Sequence, residues 1–124
     1  MSPFLIYSLA FLIGGNTYCL IELIYRARTH YSMFFCAGIA VSILLFIYLQ
    51  NRSMPSVLFA LIAALVITVL ELIFGAVFNI WLNMGVWDYS QVPLNLFGQI
   101  CLPFSAIWFG FGLALYYIFK LIKI

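Results

Sequence analysis

The sequence predicts an all-α polytopic membrane protein: a bundle of four transmembrane helices with an ordered polar loop between the third and fourth. Three observations carry this. Of 124 residues, 68% are hydrophobic and only 6% are charged, where a soluble domain carries about 25%. The apolar residues fall into four long runs rather than into an alternating pattern. A chain in lipid must satisfy its own backbone hydrogen bonds, so runs of about 20 residues become helices; they are too long for the strands of a membrane barrel.

The first span covers residues 3–24 and ends at Tyr25-Arg-Ala-Arg-Thr-His30. The second covers 33–49 and ends at Gln50-Asn-Arg-Ser-Met-Pro55. Pro55 suits a helix start, where its missing N–H costs nothing. The third covers 56–82, long enough to tilt, and the fourth covers 96–119, ending at Lys120 and Lys123. Pro103 is expected to kink this last span. The whole of 1–124 reads as one integral membrane domain with no room for a soluble catalytic module. No Gly-rich phosphate loop is present, and a net charge of +2 gives no footprint for nucleic acid. Cys19, Cys36 and Cys101 lie apart in apolar surroundings and read as small packing residues. No metal, cofactor or catalytic residue is expected. Four spans put both termini on one side, with Arg52, Lys120 and Lys123 against Arg26 and Arg28 on the other; the excess places the termini in the cytoplasm.

Function is expected where polar residues interrupt the apolar runs. Glu71 lies inside the third span, roughly 20 Å down a helix at about 1.5 Å per residue. A carboxylate there marks an ion, proton or ligand site, or an interhelical pair with Arg26 or Arg28. Thr68, Glu71, Gly75, Asn79 and Asn83 recur at helical spacing and predict a stripe facing other helices rather than lipid. Glu22 and Arg26 form an i,i+4 pair at the end of the first span. In the loop, Trp87 and Tyr89 read as interfacial anchors, whereas Asp88, Asn95 and Gln99 need another reason. Gly98, Cys101, Ser105, Trp108 and Gly112 predict a close-packing stripe on the fourth span, and Gln99 needs a partner such as Glu71 or Asn79. Glu22, Arg26, Glu71, Asn79, Asp88, Asn95 and Gln99 all fall toward one side of the bundle. That asymmetry reads as a one-sided pocket or half-channel, with His30 a solvated residue near its mouth.

The runs Leu-Ile-Glu22-Leu-Ile-Tyr25-Arg26, Leu-Glu71-Leu-Ile-Phe-Gly75 and Trp87-Asp88-Tyr89-Ser90 with Pro93, Asn95, Gly98, Ile100-Cys101-Leu102 and Ser105 resemble the putative ABC-transporter type IV family of bacterial integral membrane proteins, the CmpB-like family. The resemblance covers most of the chain. It implies a permease-like role in the bacterial inner membrane and marks the polar cluster as a family feature. Trp87, Tyr89, Cys101 and Ser105 complete the candidate ligand-binding set. Two departures stand out. Phe35–Ser42 lacks the prolines of the family's Gly-Pro-rich run, and Gln99 stands where the family tends to have Arg, so an anion held through that Arg is not carried over.

The leading expectation is therefore small-scale membrane transport, proton- or cation-coupled through Glu71, with Asn79, Asp88 and Gln99 on the ligand. The lipid bilayer is the surrounding partner. Because four spans rarely enclose a complete path, a homo-oligomer or a partner membrane subunit such as an ATPase is implied. A drug-exporter-like antiparallel dimer coupled through Glu22 is a variant of this, although Glu22 lies close to its helix end and the Trp-Asp-Tyr-Ser motif is foreign to such exporters. Two other classes compete: an intramembrane enzyme on lipid or lipid-linked sugar, with Glu71 or Asp88 as general base, and an assembly subunit whose polar residues are interhelical glue.

Overall fold

The computed structural model describes residues 2–123. Its contacts divide the chain into two compact units, Met1–Phe46 and Ile47–Ile124. Among the described residues, four helices are long and apolar enough to cross a membrane: Pro3–Arg26, Tyr31–Gln50, Ser56–Trp81 and Leu102–Leu121.

The first unit holds α1 (Pro3–Arg26) and most of α2 (Tyr31–Gln50). Ser2 caps α1, its hydroxyl accepting the Leu5 N–H at 3.2 Å. The helix stops at Ala27, which takes a left-handed conformation (φ 59°) and donates its N–H to the Leu23 carbonyl. The two helices approach closely: a Cβ on Gly15 would lie 2.8 Å from the Phe34 carbonyl oxygen, and one on Gly38 would lie 2.9 Å from the Phe11 ring. Small residues allow this contact where lipid supplies no hydrophobic drive between helices. His30, expected to be a solvated loop residue, is half-buried and caps α2. Its Nδ1 accepts the Ser32 N–H at 3.1 Å and lies 2.7 Å from the Ser32 hydroxyl.

The second unit pairs α3 (Ser56–Phe74) with α4 (Leu102–Leu121) in antiparallel fashion. At one end, Tyr48, Phe59, Tyr116 and Phe119 form an aromatic cluster with edge and tilted contacts. There the Tyr116 hydroxyl donates to the Met54 carbonyl at 3.0 Å. In the middle, Gly112 lies against α3; a Cβ there would sit 2.6 Å from the Ala63 Cβ and 3.0 Å from the Ala60 Cα. The far end departs from regularity. α3 runs on as a π-helical segment, Gly75–Trp81, with the Leu82 N–H reaching back five residues to the Val77 carbonyl at 2.9 Å. Such segments mark functional positions in many helices.

The fourth span differs from its expected bounds. Residues 96–101 do not join the helix. Asn95–Leu96 (β1) and Ile100–Cys101 (β2) form a short antiparallel hairpin with Asn95 opposite Cys101 and Leu96 opposite Ile100. The helix begins at Leu102, so Pro103 lies in its first turn, where no intrahelical N–H is needed, rather than at a mid-span kink. The expected stripe is thereby cut: Ser105, Trp108 and Gly112 share the α4 face, whereas Gly98 and Cys101 belong to the hairpin.

Candidate functional site

The π-helical end of α3, the loop 82–94, the hairpin and the first turns of α4 build one connected polar network inside the second unit. Its centre is Glu71, only 2% exposed. Each carboxylate oxygen has its own donor: Oε1 accepts the Trp108 indole N–H at 2.8 Å, and Oε2 accepts the Tyr89 hydroxyl at 2.9 Å. A buried carboxyl group is tolerable only when its oxygens are satisfied. Here they join three separate pieces of chain: α3, the loop and α4.

The stripe predicted along the third span faces α4 and the loop, as expected. Thr68 and Ser105 share a hydroxyl–hydroxyl bond of 2.7 Å. Gly75 has no side chain because Gln99 lies on it: a Cβ would fall 2.5 Å from Gln99 Oε1 and 3.1 Å from the Trp87 ring. Asn79 donates to Gln99 Oε1 at 2.8 Å, and its own carbonyl accepts the Val86 N–H at 2.7 Å. Gln99 in turn accepts the Trp87 indole N–H on its backbone carbonyl at 2.9 Å. The partner sought for Gln99 is thus Asn79. Asn83 leaves the stripe: it is exposed beyond the helix end with φ 53°.

Aromatic rings wall the carboxylate. Tyr89 stacks on Phe104 with centroids 4.7 Å apart, and Phe104 contacts Trp108 at 6.0 Å. Trp87 is 7% exposed and Tyr89 half-buried. These two are network members rather than the interfacial anchors expected; the indole N–H and the phenol have acceptors within the protein, which holds the rings inward.

Asp88 and Asn95 lie at the outer edge, exposed, where they shape the loop. Asp88 accepts the Ser90 N–H at 2.9 Å. Asn95 donates to the Val92 carbonyl at 2.9 Å and accepts the Gly98 N–H at 3.0 Å. Gly98, at φ 69°, sits where a Cβ would lie 3.1 Å from Asp88 Oδ1, so both its conformation and its space call for glycine. The Gly98 carbonyl accepts the Tyr89 N–H at 2.7 Å, which fixes Tyr89 beneath the hairpin. Cys101 is buried at the hairpin's end.

Hydrogen bonds from Ser90, backbone first and hydroxyl second, hold the Asp88 carboxyl below the usual carboxylate range. A group lowered in the folded state stabilises the loop above the ordinary carboxylate range and loses that contribution as pH falls through its lowered value. The Ser90 amide proton shift, followed by NMR against pH, is therefore expected to show a transition below the ordinary carboxylate value and to flatten in Asp88→Asn. A transition at or above that value would contradict the assignment.

Glu22 and Arg26 belong to the first unit. Their ion pair measures 2.9 Å, and Thr29 donates to the other Glu22 oxygen at 2.8 Å. Glu22 is buried, and the set closes the end of α1 onto the turn that follows it.

Trp108 is the network member absent from the expected binding set. It shares a helix face with Ser105, and a buried indole N–H requires an acceptor; that requirement was the available signal. Residues 2–123 match the family described as putative ABC-transporter type IV. No curated protein and no solved structure matches the chain.

Proposed function

Because the chain belongs to the putative ABC-transporter type IV family, we propose that it is a transport subunit of the bacterial inner membrane in which Glu71 couples movement of a proton or cation. The membrane-transport setting follows from the family and the four spans. The assignment of Glu71 rests chiefly on one observation: its two oxygens face donors of different kinds.

The Trp108 indole only donates, so Oε1 is always an acceptor. The Tyr89 hydroxyl can donate or accept, so a proton on Glu71 belongs on Oε2. Loading it reverses the direction of the Tyr89 bond without moving a heavy atom. Tyr89 is half-buried in the loop and so lies between the carboxylate and the surface. That arrangement supports a proton route from the loop side through Tyr89 to Glu71. Asn79 and Gln99, on the adjoining turn, and Asp88 at the outer edge are the groups we assign to ligand binding, with Trp87, Asn95, Cys101 and Ser105 framing them. Glu22 and Arg26 are retained as a second polar site at the end of α1. A homo-oligomer or a partner membrane subunit completes the path, and the termini lie in the cytoplasm.

The test is proton flux into vesicles that enclose a pH-sensitive dye, under an imposed potassium diffusion potential. Wild type is expected to acidify the lumen well above empty vesicles, and Glu71→Gln to fall to that background while eluting at the same size. Glutamine keeps an acceptor for Trp108, so the variant is expected to fold. Flux undiminished in Glu71→Gln would make the carboxylate structural and remove the coupling role.

A further inference from the structure

The hairpin between loop and α4 presents apolar side chains outward. Leu94 is 72% exposed, Phe97 73% and Leu96 50%. Leu102 follows at the helix start, and Trp81, 77% exposed, stands at the end of the preceding span. We propose that this hairpin is a membrane foot, inserted at the boundary between lipid headgroups and acyl chains on the face of α3 and α4.

Four observations support a bilayer rather than water as its environment. The first is conformation. Leu94 and Phe97 are left-handed (φ 58° and 56°), where turns normally place Gly, Asn or Asp. Two bulky apolar residues hold strained positions that point them away from the protein, so what they gain lies outside the chain.

The second is charge. From Tyr89 to Phe119 no residue is charged. A loop meant for water would carry several charged residues at ordinary composition, about one in four.

The third is polar satisfaction. The Gln99 N–H bonds the Leu96 carbonyl and the Leu102 N–H bonds the Leu94 carbonyl, while Gln99 Nε2 donates to the Phe97 carbonyl. Gly98 is held through Asn95 and Tyr89. Internal bonds of this kind lower the cost of bringing irregular backbone to the edge of the hydrocarbon core, where water is scarce.

The fourth is continuity with the lipid-facing surface. β2 passes into α4 with no polar linker, and Leu102 and Ile107 on that helix are exposed like the hairpin residues. The 20 residues of α4 span ~30 Å, enough to cross the hydrocarbon core. A full crossing by α4 would put its first residue at the boundary, with the hairpin beside it against the Gly75 end of the third span. Trp81 has the side-chain type that anchors at this level.

The test uses tryptophan emission in phosphatidylcholine vesicles. Phe97→Trp is made in a Trp81→Phe parent, and the parent's signal from buried Trp87 and Trp108 is subtracted. Lipid brominated near the carbonyl end of its acyl chains is one quencher and aqueous iodide the other. The added tryptophan is expected to emit to the blue of exposed tryptophan and to lose more than half of its emission to bromolipid. Quenching by iodide without bromolipid quenching would place the hairpin in water and overturn the proposal. Quenching by neither would show protein covering it, a second copy or another subunit, and would overturn it equally. Leu94→Trp in the same parent gives the same reading should Phe97→Trp fail to fold. Neither measurement depends on flux through Glu71.

Discussion

Replacing Gly112 by leucine is expected to destabilise the second unit by about 3 kcal/mol, the upper range for overpacking a filled contact. Even a methyl group there would stand 2.6 Å from the Ala63 Cβ and 3.0 Å from the Ala60 Cα. The second of these is backbone, so relief requires the helices to part. Parting them draws Thr68 away from Ser105 and Glu71 away from Trp108, because both bonds cross the same seam. The control is Gly110→Leu on the same helix. A Cβ at Gly110 meets nothing within 4 Å, and the cost is expected to stay within about 0.5 kcal/mol. Denaturant titration of both variants in mild detergent checks the pair. Equal losses would mean that the seam is not the tight contact described.

Removing the indole donor from Glu71 is the second large effect. Trp108→Phe keeps the ring packing against Phe104 and Phe111 but leaves Oε1 of a buried carboxyl group without its donor. The cost of such an orphaned acceptor is about 1–3 kcal/mol, with the higher end expected for a charged group. The loss is expected to be smaller in a Glu71→Gln background, where the indole meets an amide carbonyl in place of the carboxyl group. Single and double variants together form a cycle, and a coupling of about 1 kcal/mol between the two positions is the expected result. Additive losses would show that the bond contributes nothing of its own. Tyr89, which donates to the other oxygen, faces the amide NH2 in Glu71→Gln and accepts from it instead; that reversal is common to the Glu71→Gln single and the double variant and cancels in the cycle.

The polar residues of the third span illustrate what spacing alone can convey. Thr68, Glu71, Gly75 and Asn79 recur every three or four residues, and a helix in lipid must turn such a row toward protein. The structure places all four against α4 or the loop, and Gln99 finds Asn79 as its partner. The loop was harder to read. Trp87 and Tyr89 have the composition of interfacial anchors, and only the position of their acceptors, Gln99 and Glu71, shows that they turn inward. The anchoring positions pass instead to Trp81, Leu94 and Phe97. Nothing in the residue types of Leu94 and Phe97 signals a left-handed backbone.

Apolar run length and the near absence of charge determined by themselves that this chain crosses a membrane four times as helices, because unsatisfied backbone in lipid is too costly for any other arrangement. Helical periodicity likewise determined which face of α3 is polar. The tertiary structure alone decided where α4 begins, since residues 96–101 are as apolar as the helix that follows. Their hairpin depends on bonds to residues distant in sequence, notably from Tyr89 to the Gly98 carbonyl and from Trp87 to the Gln99 carbonyl. It also decided the partners of Glu71. A buried carboxylate announces that donors must be near, but which donors reach it depends on how helices pack, and two glycines, Gly75 and Gly112, set that approach.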